Sequence, residues 1–491
     1  MKKRIPAIIL AALLACASFA ACGEAAQTAA PSQSPEAPAG QEAGDAPAAA
    51  EAEETTTQLQ PELPDENYGG REFTIMQSGN WTFNDFDAEE ETGEPINDAK
   101  YRRQVAVEEK LGVKINAIAG AAPRNFSTAV TAGDQSVTAG MIGTYDVSSF
   151  AQKGLLMNLN SVPWLDLTKP WWDQKANEDL SMKGIMFYTT GDFTRLTNDC
   201  TYCILFNKTM IKDYGLDDPY GLVNDSKWTI EKMGTMVRVI SKDVNGDGKM
   251  GDEDMYGWLV WDDSFLGMTT ATGEKCCTIN GSGELELTLN TPRVLREFEL
   301  YSDFAYDTSC SLSISANSDV VQEIFASDRG LFYGRYILAV SWFRDMETDF
   351  GILPYPKLEE TQDKYYINVH PYGTSFFCVP ISSADPAFAG AVMEALSAES
   401  HYTLRPAYYE TTLVGKYVRD DESSAMLDLI FANRVFDIGF YYQVGGYNEG
   451  IMNLWRAKKT DFMSMYNKAE SRALSQIDKI NAAFAEALAN G

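Results

Sequence analysis

The spacing of apolar residues divides most of the chain into short strands and helices. Residues 71–76 alternate apolar and polar side chains, which predicts a strand. Residues 101–111 place apolar side chains at helical spacing, and residues 113–118 predict a second strand. A strand, a helix and a strand in this order are typical of a parallel sheet covered by helices. The pattern therefore predicts an α/β fold.

The same patterns predict further elements along the chain. Residues 141–147 are a candidate third strand, and the continuous apolar run of residues 201–207 indicates a buried strand. Residues 226–241 carry apolar side chains at helical spacing. Three more helices are predicted near the C-terminus, over residues 387–398, 425–432 and 468–488. The sequence shows no internal repeat, so we expect an α/β body that ends in a helical layer.

The first 22 residues have the pattern of an export signal. A basic start precedes an apolar run over residues 5–19 and two small residues, as cleavable signals require. Cys22 resembles the lipidated cysteine of bacterial lipoproteins, although Phe19 stands where leucine is usual and Cys16 is a second candidate. An ordinary cleaved signal with a spare cysteine is the alternative. We predict a lipoprotein signal peptide over residues 1–22, with the protein lipid-anchored on the outer face of a bacterial cytoplasmic membrane.

Composition separates a tether from the body. Residues 23–58 contain no valine, isoleucine, leucine, methionine or aromatic residue, so they cannot form a core. We predict a disordered Ala/Pro/Glu-rich tether over residues 23–66. The chain through Glu62 holds three basic and eight acidic side chains, so 37 basic and 62 acidic ones remain, a net charge of −25. Such a surface disfavours nucleic acid as a partner, and no second apolar run approaches the ~18 residues of a membrane span.

Six cysteines lie beyond the signal and tether: Cys200, Cys203, Cys276, Cys277, Cys310 and Cys378. An exported protein favours disulfides. However, Cys200 and Cys203 are in a predicted strand, where residues three apart are ~10 Å apart and too distant for a bridge. Zinc has little support, because neither His370 nor His401 is near a cysteine in the sequence. We therefore interpret most of the six as buried free thiols.

Residues 243–254 match a calcium-binding loop of the EF-hand kind. Oxygen ligands recur at its first, third, fifth and twelfth positions, with glycine at the sixth for a sharp turn. The predicted ligands are Asp243, Asn245, Asp247, the Lys249 carbonyl and Asp254. We expect Ca²⁺ as a structural staple rather than a switch, and a metal-free Asn-Gly/Asp-Gly turn is the alternative.

Several segments in a fixed order resemble the extracellular solute-binding proteins of ABC importers, the family that includes maltose-binding protein. The likeness runs from about residue 71 to the C-terminus. Its pieces are the strand at 71–76, Tyr145-Asp146-Val147 followed by Gly154-Leu155, the segment 203–208, Trp228-Thr229, and the segments 325–334 and 350–356. Their order, combined with the signal and tether, carries the resemblance.

The resemblance implies an α/β fold of two lobes, of the type II periplasmic-binding-protein kind, with ligand bound in the cleft between them. The C-terminal helices would cover the hinge. The implied division assigns the first lobe to 67–195, the second lobe to 196–317, a return to the first lobe to 318–346, and a second-lobe return with C-terminal helices to 347–491.

Sugar binding requires flat aromatic rings that stack on a pyranose, together with carboxylates, amides and arginines that bind its hydroxyl groups. On these grounds and by the resemblance, the candidate ligand residues are Trp81, Asp146, Asp192, Arg195, Trp261, Arg335, Tyr336 and Trp342. Asp146 is expected where a strand ends, a usual place for ligands in open α/β sheets. Packing of the rings, helix capping by Asp146 and surface ion pairs of the arginines are the alternatives.

We therefore expect a monomeric, lipid-anchored receptor that captures a carbohydrate, an oligosaccharide above all, and delivers it to an ABC permease without covalent chemistry. A peptide or other non-sugar solute is the second hypothesis, and the few arginines near the expected cleft argue against an anionic ligand. A surface-anchored glycan hydrolase is the third, since Asp262-Asp263 and Asp420-Asp421 offer paired carboxylates. The sequence contains no Gly-x-Ser-x-Gly and no phosphate-binding loop motif.

Overall fold

The structure is a computed structural model that describes residues 58–78, 85–315, 319–409 and 421–490. Leu59–Gly491 forms one compact unit. The predicted signal peptide, Cys22, nearly all of the predicted tether and Trp81 lie outside the described residues.

Fourteen strands are present in the described part of the chain. They are β1 Arg71–Ser78, β2 Val113–Ala121, β3 Ala139–Gly143, β4 Tyr202–Asn207, β5 Ser241–Lys242, β6 Met255–Trp261, β7 Cys277–Ile279, β8 Leu285–Leu287, β9 Ser311–Ile314, β10 Gly330–Tyr336, β11 Phe350–Leu353, β12 Ile367–Asn368, β13 Ser375–Cys378 and β14 Arg434–Val435.

Helices connect and cover these strands. They are α1 Pro95–Leu111, α2 Pro123–Thr131, α3 Thr144–Gln152, α4 Gln174–Leu180, α5 Leu196–Asp199, α6 Lys208–Asp213, α7 Pro219–Asn224, α8 Ile230–Val237, α9 Phe265–Ala271, α10 Pro292–Ala305, α11 Asp319–Ala326, α12 Pro386–Tyr402, α13 Leu404–Pro406, α14 Asp421–Ala432, α15 Ile438–Tyr441, α16 Tyr447–Arg456 and α17 Phe462–Asn490. A 3₁₀ helix over Ile337–Phe343 directly follows β10. No helix among the described residues combines the length and the hydropathy needed to cross a membrane.

The first sheet has the order β13-β3-β1-β2. β1 is parallel to both β2 and β3, as the strand-helix-strand pattern predicted, and β13 is antiparallel to β3. All residues of β1 from Phe73 to Ser78 are buried, so both faces of this strand are covered. The turn from α1 into β2 uses Gly112 in the left-handed region (φ 64°), where the side chain of Asn67 packs against it.

The second sheet has the order β11-β4-β10-β6-β5, with β9 beside β6. β10 is parallel to β6 and antiparallel to β4. All six residues of β4 are buried, which confirms the strand predicted from its apolar run. Gly334 lets β10 pass close to Trp258, because an added Cβ would lie 2.2 Å from the indole ring. The described residues therefore form two sheet-based lobes.

The structure corrects the predicted division of the chain at 318–346. This segment was assigned to the first lobe, but β10 pairs with β4 and β6 in the second sheet. The chain returns to the first lobe only after this segment. There β13 pairs with β3, and α12 packs on α1. The sequence pattern identifies β10 as a strand, yet its sheet depends on partners more than 70 residues away in the chain.

Two predicted features of the interior are confirmed. All six described cysteines are buried free thiols. For Trp171 and Trp172 the sequence favours packing in the core over ligand contact, because tryptophan is highly buried on average. They are 0% and 1% exposed, and their Nε1 atoms donate to Glu394 of α12 at 3.0 and 2.8 Å. Burial raises the pKa of Glu394 to about 7, although these hydrogen bonds oppose the rise.

The C-terminal helices join the two lobes. α14 packs on β11 of the second sheet, and β14 pairs with β12 in the segment that connects β11 to β13. α17 contacts α3, which follows β3 of the first sheet, and also β8 and α16. The helical layer predicted at the end of the chain is therefore present and bridges both halves.

Candidate ligand site

The carboxyl ends of β6 and β10 meet at one edge of the second sheet. The two strands are parallel neighbours, with Trp258 opposite Phe332. β6 ends at Trp261 and β10 at Tyr336. Open α/β sheets bind ligands in the crevice outside the carboxyl ends of their strands. This edge is therefore a candidate ligand site.

Arg335 lies at the centre of a group of side chains at this edge. We call the group the Arg335 cluster, and its members are Trp261, Asp263, Arg335, Tyr336, Trp342 and His370. Nη1 of Arg335 is 3.1 Å from Oδ1 of Asp263. The guanidinium carbon is 4.3 Å from the ring centre of Tyr336, 5.1 Å from that of Trp261 and 5.9 Å from that of Trp342, all within cation–π range. Four of the eight ligand residues predicted from sequence thus come together.

The charges in the Arg335 cluster stabilise one another. Burial would raise the pKa of Asp263, but the adjacent His370 ring and the Arg335 guanidinium bring it below its usual value. Nε2 of His370 is 2.8 Å from Oδ2 of Asp263. Burial would lower the pKa of Arg335, but Asp263 raises it overall. Arg335 and Tyr336 are each only 4% exposed, whereas Trp261 and Trp342 are half-buried. Arg335 therefore stabilises the sheet edge formed by β6 and β10, and the indoles of Trp261 and Trp342 are the rings of the cluster that are partly exposed to solvent.

A chain of contacts connects the Arg335 cluster to the first sheet. Tyr145 lies two residues after β3, and its ring centre is 4.8 Å from that of Tyr372. Nδ2 of Asn448 donates to the hydroxyl of Tyr145 and, at 3.3 Å, to that of Tyr372. The ring of Tyr372 is 5.6 Å from that of His370, which contacts Asp263. The carboxyl ends of strands in both sheets are thus bridged by aromatic and amide side chains.

A cavity of about 330 Å³ lies between the start of α1 and the 3₁₀ helix over Ile337–Phe343. α1 packs on β2 of the first sheet, and the 3₁₀ helix packs on β4 of the second. We call it the interlobe cavity, since its walls come from both lobes. Among the described residues, those that line it are Glu94, Ile96, Asn97, Lys100, Arg195, Asp199, Ile337, Leu338, Ser341, Arg344 and Tyr408.

Asp199 is the most buried charged residue of the interlobe cavity, at 3% exposure. Oδ1 accepts a hydrogen bond of 2.8 Å from the hydroxyl of Tyr408. Oδ2 is 3.7 Å from Nη1 of Arg195 and accepts no hydrogen bond. Burial raises the pKa of Asp199 to about 6, although Arg195 opposes the rise. A ligand hydroxyl could supply the missing donor.

The remaining predicted ligand residues are dispersed. Arg195 lines the interlobe cavity, but Asp192 lines a different cavity, where Oδ2 is 2.6 Å from Nδ1 of His401. Asp146 does not end a strand as predicted, because β3 stops at Gly143 and Asp146 lies in the first turn of α3. Burial raises the pKa of Asp146.

Sequence reasoning missed several residues of the two sites. Asp199 and Tyr408 carry no motif and meet across more than 200 residues of chain. Asn448 is more than 300 residues away from Tyr145 in the sequence, although the two side chains are hydrogen-bonded. One signal was available for His370, because a buried histidine needs a polar partner and the sequence has only two histidines.

The carboxylate pair considered for glycan hydrolysis is held in ion pairs. Asp262 accepts from Nε of Arg456, and Asp263 pairs with Arg335 and His370. The two acids are adjacent in one short 3₁₀ helix, Asp262–Ser264, whereas hydrolysis needs carboxyl groups on opposite sides of a glycosidic bond. Asp420 lies outside the described residues.

The predicted calcium loop connects β5 to β6, which are antiparallel. Both oxygens of Asp243 accept main-chain amides, from Gly246 at 2.6 Å and from Gly248 at 2.8 Å. Asp254 is fully buried and likewise accepts from Val244 and Gly251. These bonds orient oxygens that suit calcium. Within the described ranges, however, no group of three or more His, Cys, Asp or Glu side chains has a metal-binding arrangement.

Comparison with known proteins gives structural but not sequence matches. No family model matches the chain, and no curated protein matches it. A cyclo/maltodextrin-binding protein solved with maltotetraose superposes with a TM-score of 0.57 at 14% identity, over 83% of this chain and 97% of that one. An ABC transporter solute-binding protein of Thermotoga lettingae bound with α-D-tagatose gives 0.53 at 14% identity, over 84% and 100%. An ABC substrate-binding protein of Listeria monocytogenes in complex with cycloalternan gives 0.51 at 13% identity, over 85% and 99%.

These likenesses show the fold of the chain. It is the two-lobe α/β fold of extracellular solute-binding proteins, over nearly the full length of the structures it matches. The fold predicted from the sequence is therefore confirmed.

Proposed function

We propose that this protein is the solute-binding component of an ABC importer and that its ligand is a carbohydrate. The observation that carries the proposal is the interlobe cavity, with its wall of polar side chains from both lobes. The 3₁₀ helix that forms part of this wall also carries Trp342, whose half-buried indole belongs with that of Trp261 to the Arg335 cluster. Rings beside hydrogen-bonding groups are the chemistry that recognises sugars. The neighbours bound with maltotetraose, tagatose and cycloalternan support this ligand class.

Binding in such a cavity couples the ligand to the arrangement of the lobes. A sugar that contacts Asn97 on the α1 side and Ser341 on the other side stabilises the arrangement in which both walls are near. It shifts the population of lobe arrangements by its differential affinity. A permease can then distinguish the loaded receptor from the empty one. No covalent step is required of any residue in the cavity.

A carbohydrate panel tests the ligand class. We expect at least one oligosaccharide to raise the melting temperature of the purified protein and to bind in isothermal titration calorimetry. Trp342→Ala should weaken that binding about tenfold, or ~1.4 kcal/mol, because Trp342 is one of the two half-buried rings of the Arg335 cluster.

Trp164→Ala is the matched control for that experiment. Trp164 is 42% exposed and belongs to neither the Arg335 cluster nor the described lining of the interlobe cavity, so its replacement should leave affinity unchanged. Peptides and amino acids belong in the same panel, since they are the second ligand class. Binding of these alone, or equal effects of the two tryptophan variants, would contradict the sugar assignment.

We also propose that the protein is exported, lipidated on Cys22 and held as a monomer on the outer face of the cytoplasmic membrane, where it meets its permease. The support is the basic start, the apolar run and the small residues before Cys22. Cys22→Ser should release the protein from the membrane fraction into the medium. A variant that stays membrane-bound would argue against the lipid anchor.

Calcium binding by residues 243–254 is a further part of the proposal. The support is the spacing of the oxygen ligands and the amide bonds that already orient Asp243 and Asp254. We expect millimolar Ca²⁺ to raise the melting temperature by a few degrees, and Asp247→Asn to reduce that rise by removing a ligand charge. Asp225→Asn, at an exposed acid outside the loop, is the control. Calorimetry without calcium binding at millimolar concentration would refute the site.

A further inference from the structure

We propose that a second cavity, between α3 and the C-terminal helices, binds a small solute that carries a carboxylate. We call it the Arg472 cavity, and its volume is about 370 Å³, within the range of small-molecule sites. None of its described lining residues lines the interlobe cavity, so the inference goes beyond the proposed function and does not depend on it. The side chains that carry the argument are Tyr145, Ser149, Gln152, Gln443, Arg472 and Gln476.

Arg472 is the only charged residue in the described lining of this cavity. The interlobe cavity has both acids and cations in its lining, and so has the cavity that contains Asp192. The whole chain holds 70 acidic and 40 basic side chains, so a wall with a cation and no acid differs from the protein as a whole. Such a wall attracts an anion locally.

Glu449, an acid whose charge reaches this cavity, already has an arginine partner. Burial raises the pKa of Tyr145, and the charge of Glu449 contributes to the rise. Oε1 of Glu449 accepts a hydrogen bond from Nη1 of Arg456, and the side chain of Glu449 is 52% exposed. Arg456, rather than Arg472, is therefore the partner of this carboxylate.

Most N–H donors of Arg472 have no partner within the described part of the chain. Nη2 donates to the main-chain carbonyl of Gly445, and Arg472 makes no other hydrogen bond and no ion pair with the described residues. An arginine has five N–H donors, so one carbonyl leaves most of them for a ligand. Arg296, by contrast, is an arginine with 51% of its side chain exposed that pairs with Glu299 at 2.6 Å. Two parallel N–H groups of one guanidinium bind a carboxylate well.

The guanidinium of Arg472 is held in place by the turn before α16. Arg472 and Gln476 are four residues apart on α17 and so lie on one face. Both bind Gly445: its carbonyl accepts from Arg472, and its N–H donates to Oε1 of Gln476 at 2.6 Å. Gly446 has a φ of 65°, and an added Cβ there would lie 2.8 Å from Nη2 of Arg472. This close approach requires glycine, and a donor fixed before binding lowers the entropic cost of association.

Neutral polar groups supply the rest of the wall. Ser149 and Gln152 lie three residues apart on the α3 side, and Gln443 lies on the opposite side. Among the described residues, these three side chains have no hydrogen-bond partner. Nε2 of Gln476 is also without one, since only Oε1 is bonded to Gly445. The cavity therefore offers amide and hydroxyl groups that can donate and accept.

These groups together describe a small polar acid. The guanidinium suits a carboxylate, the amides and the hydroxyl of Ser149 suit hydroxyl groups or a second carboxylate, and the ring of Tyr145 adds an apolar wall. A neutral solute would leave the guanidinium without an anion, and an apolar solute would leave the amides unpaired. Hydroxy acids and dicarboxylic acids satisfy both requirements.

The experiment compares small acids with uncharged counterparts of similar size. Succinate, malate and galacturonate are titrated into the purified protein by calorimetry, beside succinamide, malamide and galactose, in a buffer without carboxylates. We expect at least one acid to bind ten times more tightly than its counterpart, with an affinity that falls as salt rises. That acid should also raise the melting temperature, because it contacts both α3 and α17 and binds only the folded protein.

Arg472→Gln should weaken the binding of that acid about tenfold, and Gln152→Ala about threefold. Neither variant should lower the melting temperature of the ligand-free protein by more than a few degrees, because Arg472 is exposed and Gln152 is only half-buried. Arg124→Gln is the matched control. Arg124 is an exposed arginine of α2 that has no acidic partner among the described residues and does not line the cavity.

The outcomes separate this inference from the proposed function. Acids that bind no better than their counterparts, or equal effects of Arg472→Gln and Arg124→Gln, overturn the carboxylate site. Arg472→Gln should bind sugars of the carbohydrate panel as the wild type does. A protein that binds a sugar but none of the acids refutes this inference alone. A protein that binds an acid through Arg472 but no sugar refutes the proposed carbohydrate ligand alone.

Discussion

Arg335→Ala is expected to lower the free energy of unfolding by about 3 to 5 kcal/mol, the usual loss when one partner of a buried ion pair is removed. Arg335 is 4% exposed and pairs with Asp263, which is also largely buried. Its removal leaves Asp263 with the His370 ring as its remaining partner in the Arg335 cluster and opens a gap between the rings of Trp261 and Trp342. Urea unfolding followed by circular dichroism measures the change.

The same variant should also lose carbohydrate affinity, because the edge formed by β6 and β10 is no longer braced. Arg335→Lys keeps a charge near Asp263 but loses the planar group that stacks on Tyr336, so we expect an intermediate stability. Arg296→Ala removes an exposed arginine and should change stability by less than ~1 kcal/mol. An Arg335→Ala protein as stable as Arg296→Ala would show that the Arg335 cluster does not support the fold.

The spacing of apolar residues was sufficient to predict individual strands and helices, but not to predict which strands pair in each sheet. The strands β1, β2 and β4 and the helices α8 and α12 follow from the spacing of apolar residues, since each buries one face or both. The sheet to which β10 belongs does not follow, because Val260 and Ile204, its neighbours at Gly334, are distant in sequence. All seven residues of β10 are buried, and such an apolar strand could pack in the interior of either sheet.

The candidate site shows the same limit. Trp261, Arg335, Tyr336 and Trp342 could be selected because a strand end carries aromatic and charged residues together in the sequence. Asp199 could not, since its role depends on Tyr408, which only the fold brings within 2.8 Å. Asp146 was misplaced because the apolar residues before it continue the strand pattern, whereas the chain turns into α3 at Thr144.

Glu297→Gln is expected to stabilise the protein in alkaline solution, by an amount that grows with pH. Glu297 of α10 is fully buried. Oε2 accepts a long hydrogen bond of 3.4 Å from Thr269, and Oε1 has no partner. Burial raises the pKa of Glu297 to about 8, although Thr269 opposes the rise. The folded protein therefore keeps this proton to about pH 8, whereas the unfolded chain loses it near its ordinary pKa of 4.5.

The sign of the effect follows from proton linkage. Between about pH 4.5 and pH 8 the folded state binds the extra proton, so this residue makes the wild type less stable as pH rises. Glutamine does not titrate, so the stability difference between variant and wild type should grow from pH 5 to pH 9 by roughly 3 to 5 kcal/mol. Urea unfolding of both proteins at pH 5, 7 and 9 measures it.

Glu299→Gln is the matched control, since Glu299 lies on the same helix with its side chain 70% exposed. Its unfolding curves should follow those of the wild type at all three pH values. If the Glu297→Gln curves also remain parallel to the wild type, Glu297 is ionised in the folded protein. The buried carboxylate would then need a partner that the present arrangement of Thr269 and its neighbours does not provide, and α10 would have to pack on α9 differently from the structure described above.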